Sequence, residues 1–147
     1  MADPLEKMGL TMLINETCEI VRQGKSISLT GLDDPHDYYT PEAGQALCHT
    51  NDNFKIALIH TPELYDLAAD NGYNLYLAGH THGGQICLPC GIPLVLHLER
   101  GHRFSRGLWQ YKKMTGYTGQ GVGTVGIPIR FNTISEITLF TLHTRKK

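Results

Sequence analysis

Several features that define large classes of proteins are missing from this sequence. No apolar run approaches the roughly 18 to 20 residues that a membrane-spanning helix needs. The Met-Ala-Asp-Pro start has neither the basic nor the apolar region of a signal peptide. The four cysteines are too few and too unevenly spaced for the disulfide framework of a small secreted protein. We therefore expect a cytoplasmic protein without a membrane span.

Internal repeats and low-complexity tracts are also absent, which excludes solenoid and other repeat architectures. The chain has 147 residues, of which 41% are hydrophobic and 18% charged, an ordinary composition for a soluble globular protein. This length is enough to bury a sizeable core. We expect residues 1–147 to form a single domain.

The formal net charge of −1 conceals an uneven distribution of charge along the chain. Residues 1–73 contain 4 Lys and Arg against 12 Asp and Glu, a net −8, whereas residues 74–147 contain 9 against 2, a net +7. The basic half would attract an anionic ligand such as phosphate. Alternatively, the two halves simply pack against each other, and the sequence leaves both explanations open.

The most informative stretch is residues 77–85, with the sequence Leu-Ala-Gly-His-Thr-His-Gly-Gly-Gln. An apolar run ends here in two histidines, His80 and His82, with glycines on both sides. In an extended segment the side chains at i and i+2 point to one side, and neutral imidazole is the commonest protein ligand for transition metals. The pattern is typical of a metal site at the end of a β-strand, although two histidines alone make a weak site.

A third histidine belongs to the same supersecondary unit. Residues 54–59 predict a strand that ends at His60, residues 62–70 a helix, and residues 74–78 a strand that ends just before His80. Strand, helix and strand at this spacing indicate a βαβ unit with parallel strands. Parallel strands end at the same sheet edge, where open α/β sheets bind ligands. His60, His80 and His82 are therefore predicted to be metal ligands.

Further short elements are predicted around this unit. They are a helical turn at residues 5–9, a helix from 41 to about 48, and strands at 10–14, 18–22, 26–30, 85–88, 104–111 and 137–143. The last strand is apolar on both faces, so we expect it to be central and covered. The sequence thus predicts an α/β fold with a mixed β-sheet and flanking helices.

Two other groups of residues have competing interpretations. Cys87 and Cys90 form a C-x-x-C pair, which fits two inert thiols, half of a zinc site with His80 and His82, or a redox pair; inert thiols are favoured because no thioredoxin-like context surrounds them. Residues 100–113 contain five basic side chains with interleaved aromatics. A strand with one solvated face is favoured there over phosphate contacts, and no nucleic-acid binding is expected.

Two motifs resemble those of a known family. The runs LIHTP at residues 58–62 and LAGHTHGGQ at residues 77–85 resemble the last two metal motifs of the calcineurin-like metallophosphoesterases. GLDDP at residues 31–35 and GVGTVGIPIRFNTISEITLFTL at residues 121–142 are similar to the small bacterial branch of that family. The resemblance covers residues 5–142. It implies half of an αββα sandwich and metal-dependent hydrolysis of phosphoesters, with mono- and diesters both possible.

The resemblance also implies roles for single residues. His60 and His80 would bind one metal of a dinuclear pair and His82 the other, so that His80 and His82 belong to the catalytic centre. Mn, Fe and Zn all suit imidazole ligands, and a hydroxide held between two such ions attacks phosphorus in line. Arg130, after the glycine-rich run, is the candidate substrate-binding residue, because a guanidinium fits a phosphoryl group well.

Three N-terminal motifs of the family are absent: an Asp-x-His, a Gly-Asp with the bridging Asp, and an Asn-His pair. Asp34-Pro35-His36 fails as the Asp-x-His, because no Gly-Asp follows it. The chain therefore resembles the C-terminal half of a metallophosphoesterase, and we expect partial metal occupancy and little or no activity alone. The alternative is a non-catalytic metal-binding or interaction module. Either form predicts a homo-oligomer or a partner segment that supplies the N-terminal half.

Overall fold

In a computed structural model, which describes residues 2–36, 39–49 and 51–143, a six-stranded mixed sheet forms the centre of the fold. The strands are β1 Glu16–Arg22, β2 Lys25–Gly31, β3 Phe54–Leu58, β4 Leu75–Ala78, β5 Gly107–Tyr111 and β6 Met114–Thr118, in the sheet order β1-β2-β3-β4-β6-β5. The α-helices are α1 Ala2–Lys7, α2 Pro41–Leu47 and α3 Tyr65–Asp70, and single 3₁₀ turns occupy Pro62–Leu64, His82–Gly84 and His102–Phe104. In the described ranges, every helix is too short or too polar to cross a membrane.

The four inner strands β2, β3, β4 and β6 are parallel, and β1 and β5 are antiparallel at the two edges. The predicted βαβ unit is confirmed, since β3 and β4 pair in parallel with Leu58 opposite Leu77. Its crossover begins with the 3₁₀ turn, where the Thr61 hydroxyl accepts a hydrogen bond from the amide of Glu63. The α/β class with a mixed sheet is likewise confirmed.

The hydrophobic core lies between the sheet and the helices α2 and α3. Its buried members include Leu47, Ala57, Ala68, Tyr76, Phe104, Trp109 and Met114. Two polar groups in the core are paired: the Tyr76 hydroxyl donates to the carbonyl of Thr61, and the Trp109 indole donates to the Thr118 hydroxyl. These bonds fix the aromatic rings beneath the carboxyl edge of the sheet.

The opposite face of the sheet has only an incomplete cover. Ile56 and Leu75 on this face are buried, but Ile20, Phe54 and Leu108 are 53%, 41% and 73% exposed. Two extended segments lie beside this face, with residues 11–13 next to β2 and residues 140–142 next to β4 and β5. Exposed apolar side chains on one face of a sheet are candidates for a surface that another polypeptide covers.

Three predicted strands are absent from the structure. Residues 10–14 are extended without strand pairing, residues 85–88 form only the isolated bridges Ile86–Phe131 and Cys87–Pro93, and residues 137–143 are irregular. The prediction of a covered central strand at 137–143 is wrong, because Ile137 and Leu139 are 92% and 91% exposed. An apolar segment becomes a strand only where a partner strand accepts its backbone hydrogen bonds, and β6 takes the place beside β4.

β6 itself was not predicted. It follows β5 in a hairpin whose turn is Lys112-Lys113, with Tyr111 opposite Met114 and φ of 53° at Lys112. Asn-Gly and Asp-Gly are the usual residues of such turns. The Lys-Lys pair therefore gave no sign of the turn, and the strand predicted at 104–111 is confirmed only from Gly107 onward.

Candidate metal centre

Polar side chains gather at the carboxyl edge of the parallel strands. His36 lies in the loop after β2, His60 after β3, His80 and His82 after β4, and Gln120 after β6. The predicted convergence of the three histidines is observed, since His60, His80 and His82 line a single cavity of about 380 Å³. The segments after β3, β4 and β6 thus bring their side chains to this one cavity, which Gln120 also lines.

Backbone pairing continues past β3 and β4 and positions the first two histidines. The amide of Ile59 donates to the carbonyl of Leu77, and the amide of Gly79 donates to the carbonyl of His60, at 3.1 and 3.0 Å. This pairing brings the imidazole rings of His60 and His80 into an edge-to-face contact with centroids 5.0 Å apart. The parallel register therefore fixes the spacing of the two rings.

The turn that holds His80 and His82 is strained. Both residues have left-handed backbone angles, with φ of 68° and 50°, a region that residues other than glycine rarely adopt. Thr81 stabilises the turn, because its hydroxyl donates to the carbonyl of Ser105 and accepts from the amide of Gly83. A Cβ atom at Gly83 would clash with the side chain of Gln120. Strain of this kind concentrates at functional sites.

Hydrogen bonds orient both rings of the turn. Nε2 of His80 lies 2.6 Å from the carbonyl oxygen of His97, and Nδ1 of His82 lies 3.1 Å from that of Gly123. A carbonyl oxygen only accepts, so these ring nitrogens hold the protons of the neutral imidazoles. The lone pairs are then on Nδ1 of His80 and Nε2 of His82, the atoms through which each ring would bind a metal.

The electrostatics of the edge favour a neutral imidazole at His60. Partial burial lowers its pKa, and the nearby His80, His82 and His36 lower it further, whereas the Asp34 carboxylate acts in the opposite direction. Since metals bind the neutral ring, these effects keep His60 in the form that binds metal near neutral pH.

Glu136 closes the opposite side of the cavity. Its carboxylate accepts hydrogen bonds from the amide of Gln120 and the hydroxyl of Tyr117, at 2.8 and 2.9 Å. Burial acts to raise the pKa of Glu136, but these bonds outweigh that effect and lower it. Glu136 is therefore an ionised group that orders the loop after β6.

The donor chemistry of the cavity suits a divalent transition metal, since three imidazoles line it. Within the described ranges, however, no group of three His, Cys, Asp or Glu side chains has the arrangement of a ready metal site. The residues therefore suit a metal ion in their chemical type and in their location. Their rings must turn before they can bind one ion together. The same finding leaves the zinc hypothesis for Cys87 and Cys90 without support; Cys87 is buried and Cys90 exposed.

Arg130 lies directly beside His82. Its guanidinium donates to the backbone carbonyls of His82, Gln120 and Gly123, at 3.0, 2.6 and 2.7 Å, and its Nη2 lies 3.5 Å from Nδ1 of His82. These bonds tie the loop after β6 to the histidine turn. Arg130 therefore brings a positive charge to the site while it organises two of the loops.

Sequence reasoning missed the pair of His36 and Glu63 at the edge. Asp34 forms an Asx turn, in which its carboxylate accepts from the amide of His36 at 3.1 Å. The turn directs the His36 ring toward His80, with centroids 4.8 Å apart, and Nδ1 of His36 lies 2.9 Å from Oε2 of Glu63. Only the fold brings these residues together, because 27 positions separate His36 from Glu63 in the sequence.

The basic segment pairs in part with the acidic half of the chain. Arg100 contacts Asp66 and Lys112 contacts Asp70, both on α3. These pairs agree with the interpretation that the two oppositely charged halves pack against each other. They also account for two of the five basic side chains between residues 100 and 113 without a phosphate ligand.

Comparison with curated proteins finds relatives over most of the chain. YkuE of Bacillus subtilis, named an uncharacterized metallophosphoesterase, is 36% identical over 120 residues, which cover 81% of this chain and 41% of YkuE. An uncharacterized metallophosphoesterase of Helicobacter pylori is 31% identical over 148 residues, 94% of this chain and 37% of the relative. The chain belongs to the metallophosphoesterase family.

Phosphodiesterase YaeI of Escherichia coli is 29% identical to this metallophosphoesterase chain over 143 residues, 95% of the chain and 50% of YaeI. The chain spans half or less of the length of these three relatives. That share is consistent with the prediction that the resemblance covers the C-terminal half of the family's domain. No protein-family model and no solved structure matches the chain.

Proposed function

We propose that this chain forms part of the active site of a metal-dependent phosphoester hydrolase, in which His60, His80 and His82 bind divalent metal ions. The observation that supports the proposal is the convergence of the three imidazoles on one cavity at the carboxyl edge of the sheet. The family supplies the reaction class, since its relatives are named metallophosphoesterases and, in one case, a phosphodiesterase.

The ring positions support the assignment of His60 and His80 to one ion and His82 to a second. His60 and His80 contact each other, whereas His82 bonds to Gly123 and lies against Arg130. A bound pair of divalent ions, of Mn, Fe or Zn, supplies a hydroxide nucleophile and neutralises the phosphoryl oxygens. Because imidazoles are the only predicted ligands here, we expect partial occupancy in this chain alone.

We further propose that Arg130 attracts the substrate by its charge. Its guanidinium remains bonded to the loop carbonyls, so its contribution is a fixed positive charge beside His82. A phosphoester anion is the ligand that such a charge and two metal ions would attract.

We infer that the chain by itself has little or no hydrolytic activity. It spans half or less of the length of its relatives, and Ile137 and Leu139 are almost fully exposed. The same exposure favours the second candidate function, a module that binds metal weakly and associates with another polypeptide segment or a second copy of the chain. A cytoplasmic location stays a prediction of the sequence.

The test of catalysis compares the chain with its His80→Ala variant. Hydrolysis of an aryl phosphodiester and of the matching monoester is measured with Mn²⁺ and with Zn²⁺. A slow metal-dependent rate that disappears in His80→Ala supports the hydrolase. Equal rates in the two proteins would exclude catalysis by this site, and a chain that binds Mn²⁺ without any turnover would support the non-catalytic module.

A further inference from the structure

A second cavity adjoins the histidine turn. His80 and His82 line this cavity as well as the one that they share with His60. Its volume is about 210 Å³. Four aliphatic side chains form much of the remaining lining, namely Ile86, Leu94, Val95 and Val125. Two of the candidate metal ligands therefore also belong to an apolar cavity.

Hydrogen bonds fix the walls of the apolar cavity to the histidine turn and the residues that follow it. On one wall, the amide of Leu94 donates to the carbonyl of Ile86 at 3.0 Å. On the other wall, the side chain of Gln85 accepts from the amide of Val125 at 2.8 Å and donates to its carbonyl at 3.0 Å. Both walls are thus held in place within the chain, as in a preformed ligand pocket.

The surface that this cavity offers to a ligand is mainly aliphatic. Leu94, Val95 and Val125 are each more than half exposed. The polar side chains of Thr81 and Gln85 also line the cavity, but they already bond to backbone groups of neighbouring loops. Covering exposed aliphatic groups with an apolar ligand is favourable. The cavity is therefore suited to an apolar group.

The size of the apolar cavity limits what it can hold. Apolar cavities of about 150 Å³ in proteins bind benzene, whereas pockets for drug-sized ligands have roughly 300–1,000 Å³. A cavity of about 210 Å³ therefore suits a group the size of one phenyl ring. Since it shares His80 and His82 with the candidate metal centre, such a group can belong to a phosphoester that binds there.

We propose that the apolar cavity binds the ester group of the substrate, and that the site selects phosphoesters whose ester group is apolar and about the size of a phenyl ring. The inference rests on the proposed function, in which the metal ions act on the phosphoryl group. It makes Val95 and Val125 specificity-determining residues. A polar side chain at either position should weaken binding of the ester group and leave metal binding unchanged.

Binding of phenyl phosphate and of methyl phosphate to the whole chain with Zn²⁺ tests the inference, because the two ligands differ only in the ester group. Phenyl phosphate should bind at least about tenfold more tightly. In a chain with ¹³C-labelled Val and Leu methyl groups, NMR should show contacts of the phenyl protons with Val95 and Val125. Val95→Asn should bind phenyl phosphate about tenfold more weakly and methyl phosphate and Zn²⁺ as the wild type does. Val21→Asn is the matched control, since Val21 is a similarly exposed valine on the edge strand β1.

Three results would overturn the inference and leave the proposed function standing, provided that the chain binds Zn²⁺ and His80→Ala abolishes this binding. They are equal affinities for the two phosphates, binding of neither phosphate, and phenyl contacts with Leu108 on the sheet face in place of the cavity. Methyl resonances of Val95 and Val125 that shift with chain concentration alone would place a second copy of the chain in the cavity and would also overturn it. A wild-type chain that binds neither Zn²⁺ nor either phosphate would overturn both the inference and the proposed function.

Discussion

The imidazole rings of His60 and His80 meet edge to face, 5.0 Å apart between centroids, although 20 positions separate them in the sequence. Their contact follows from the parallel register of β3 and β4, in which Leu58 lies opposite Leu77 and each histidine comes shortly after its strand. The parallel pairing of β3 and β4 thus places two potential ligands side by side.

Metal binding should weaken as the pH falls toward about 6. Protons compete with metal ions for the imidazole nitrogens, whose ordinary pKa is about 6.5. The lowered pKa of His60, caused first by its partial burial, keeps that ring neutral to a lower pH than an ordinary imidazole. Mn²⁺ affinity measured by electron paramagnetic resonance from pH 7.5 to pH 5 checks this. Affinity that is unchanged at pH 5 would count against histidine ligation.

Protonation of the Glu63 carboxylate in acid should make the fold less stable. Burial raises its pKa, but hydrogen bonds from His36 and from the amides of Glu99 and Arg100 outweigh burial and hold the pKa below 4.5. A lowered folded-state pKa gives stability that is present above the unfolded value and lost as the pH falls through the folded one. Glu63→Gln should therefore lose about 1.5–3 kcal/mol at pH 7 and show a smaller further loss between pH 5 and pH 3.

Urea unfolding at each pH measures this effect. Glu6→Gln on the exposed helix α1 is the control, and its unfolding should follow that of the wild type. A Glu63→Gln variant that keeps the full acid sensitivity of the wild type would show that other carboxylates are responsible.

Gly116 on β6 should tolerate no side chain. A Cβ atom there would clash with the indole of Trp109, which is stacked on Phe104 with centroids 4.4 Å apart and bonded to Thr118. We expect Gly116→Ala to lower the free energy of unfolding by about 1–3 kcal/mol through overpacking. Gly119→Ala is the matched control, because the nearest atoms to its new Cβ lie 3.7 Å away, an ordinary contact. Equal stability of the two variants in chemical denaturation would refute the packing argument.

The chain should self-associate through its exposed apolar residues. Ile137 and Leu139 are 92% and 91% exposed, and Phe54 and Leu108 on the incompletely covered face of the sheet are also exposed. Burial of such surface is favourable at about 25 cal/mol per Å². Light scattering after size-exclusion chromatography should show oligomers for the wild type and a larger monomer fraction for the Ile137→Ser, Leu139→Ser double variant. A monodisperse wild-type monomer would contradict this prediction.

The sequence predicted the βαβ unit and the convergence of its histidines because both depend on local patterns. Apolar runs of strand length end at His60 and His80, and Pro62 marks the start of the crossover. The prediction failed where pairing between distant segments decides the structure. The apolar run at 137–143 has the composition of a strand, yet β6, after an unusual Lys-Lys turn, occupies the position beside β4.

The same limit explains the missed pair of His36 and Glu63. Asp34-Pro35-His36 matches only part of a motif that requires a Gly-Asp to follow it. The contact that gives His36 a place at the edge comes from the 3₁₀ turn at Pro62–Leu64, which follows a different strand. Parallel strands bring their carboxyl ends together, so a loop without a recognisable motif can also place a side chain at that edge.

The central claim is that His60, His80 and His82 bind divalent metal. Its most direct test is Mn²⁺ binding at pH 7.5, followed by the loss of the free-ion resonance signal, for the wild type and for His60→Ala, His80→Ala and His82→Ala. The account predicts that the wild type binds Mn²⁺, that each of the three variants binds it at least about tenfold more weakly, and that His49→Ala binds it as the wild type does. Wild-type affinity in all three variants would contradict the account.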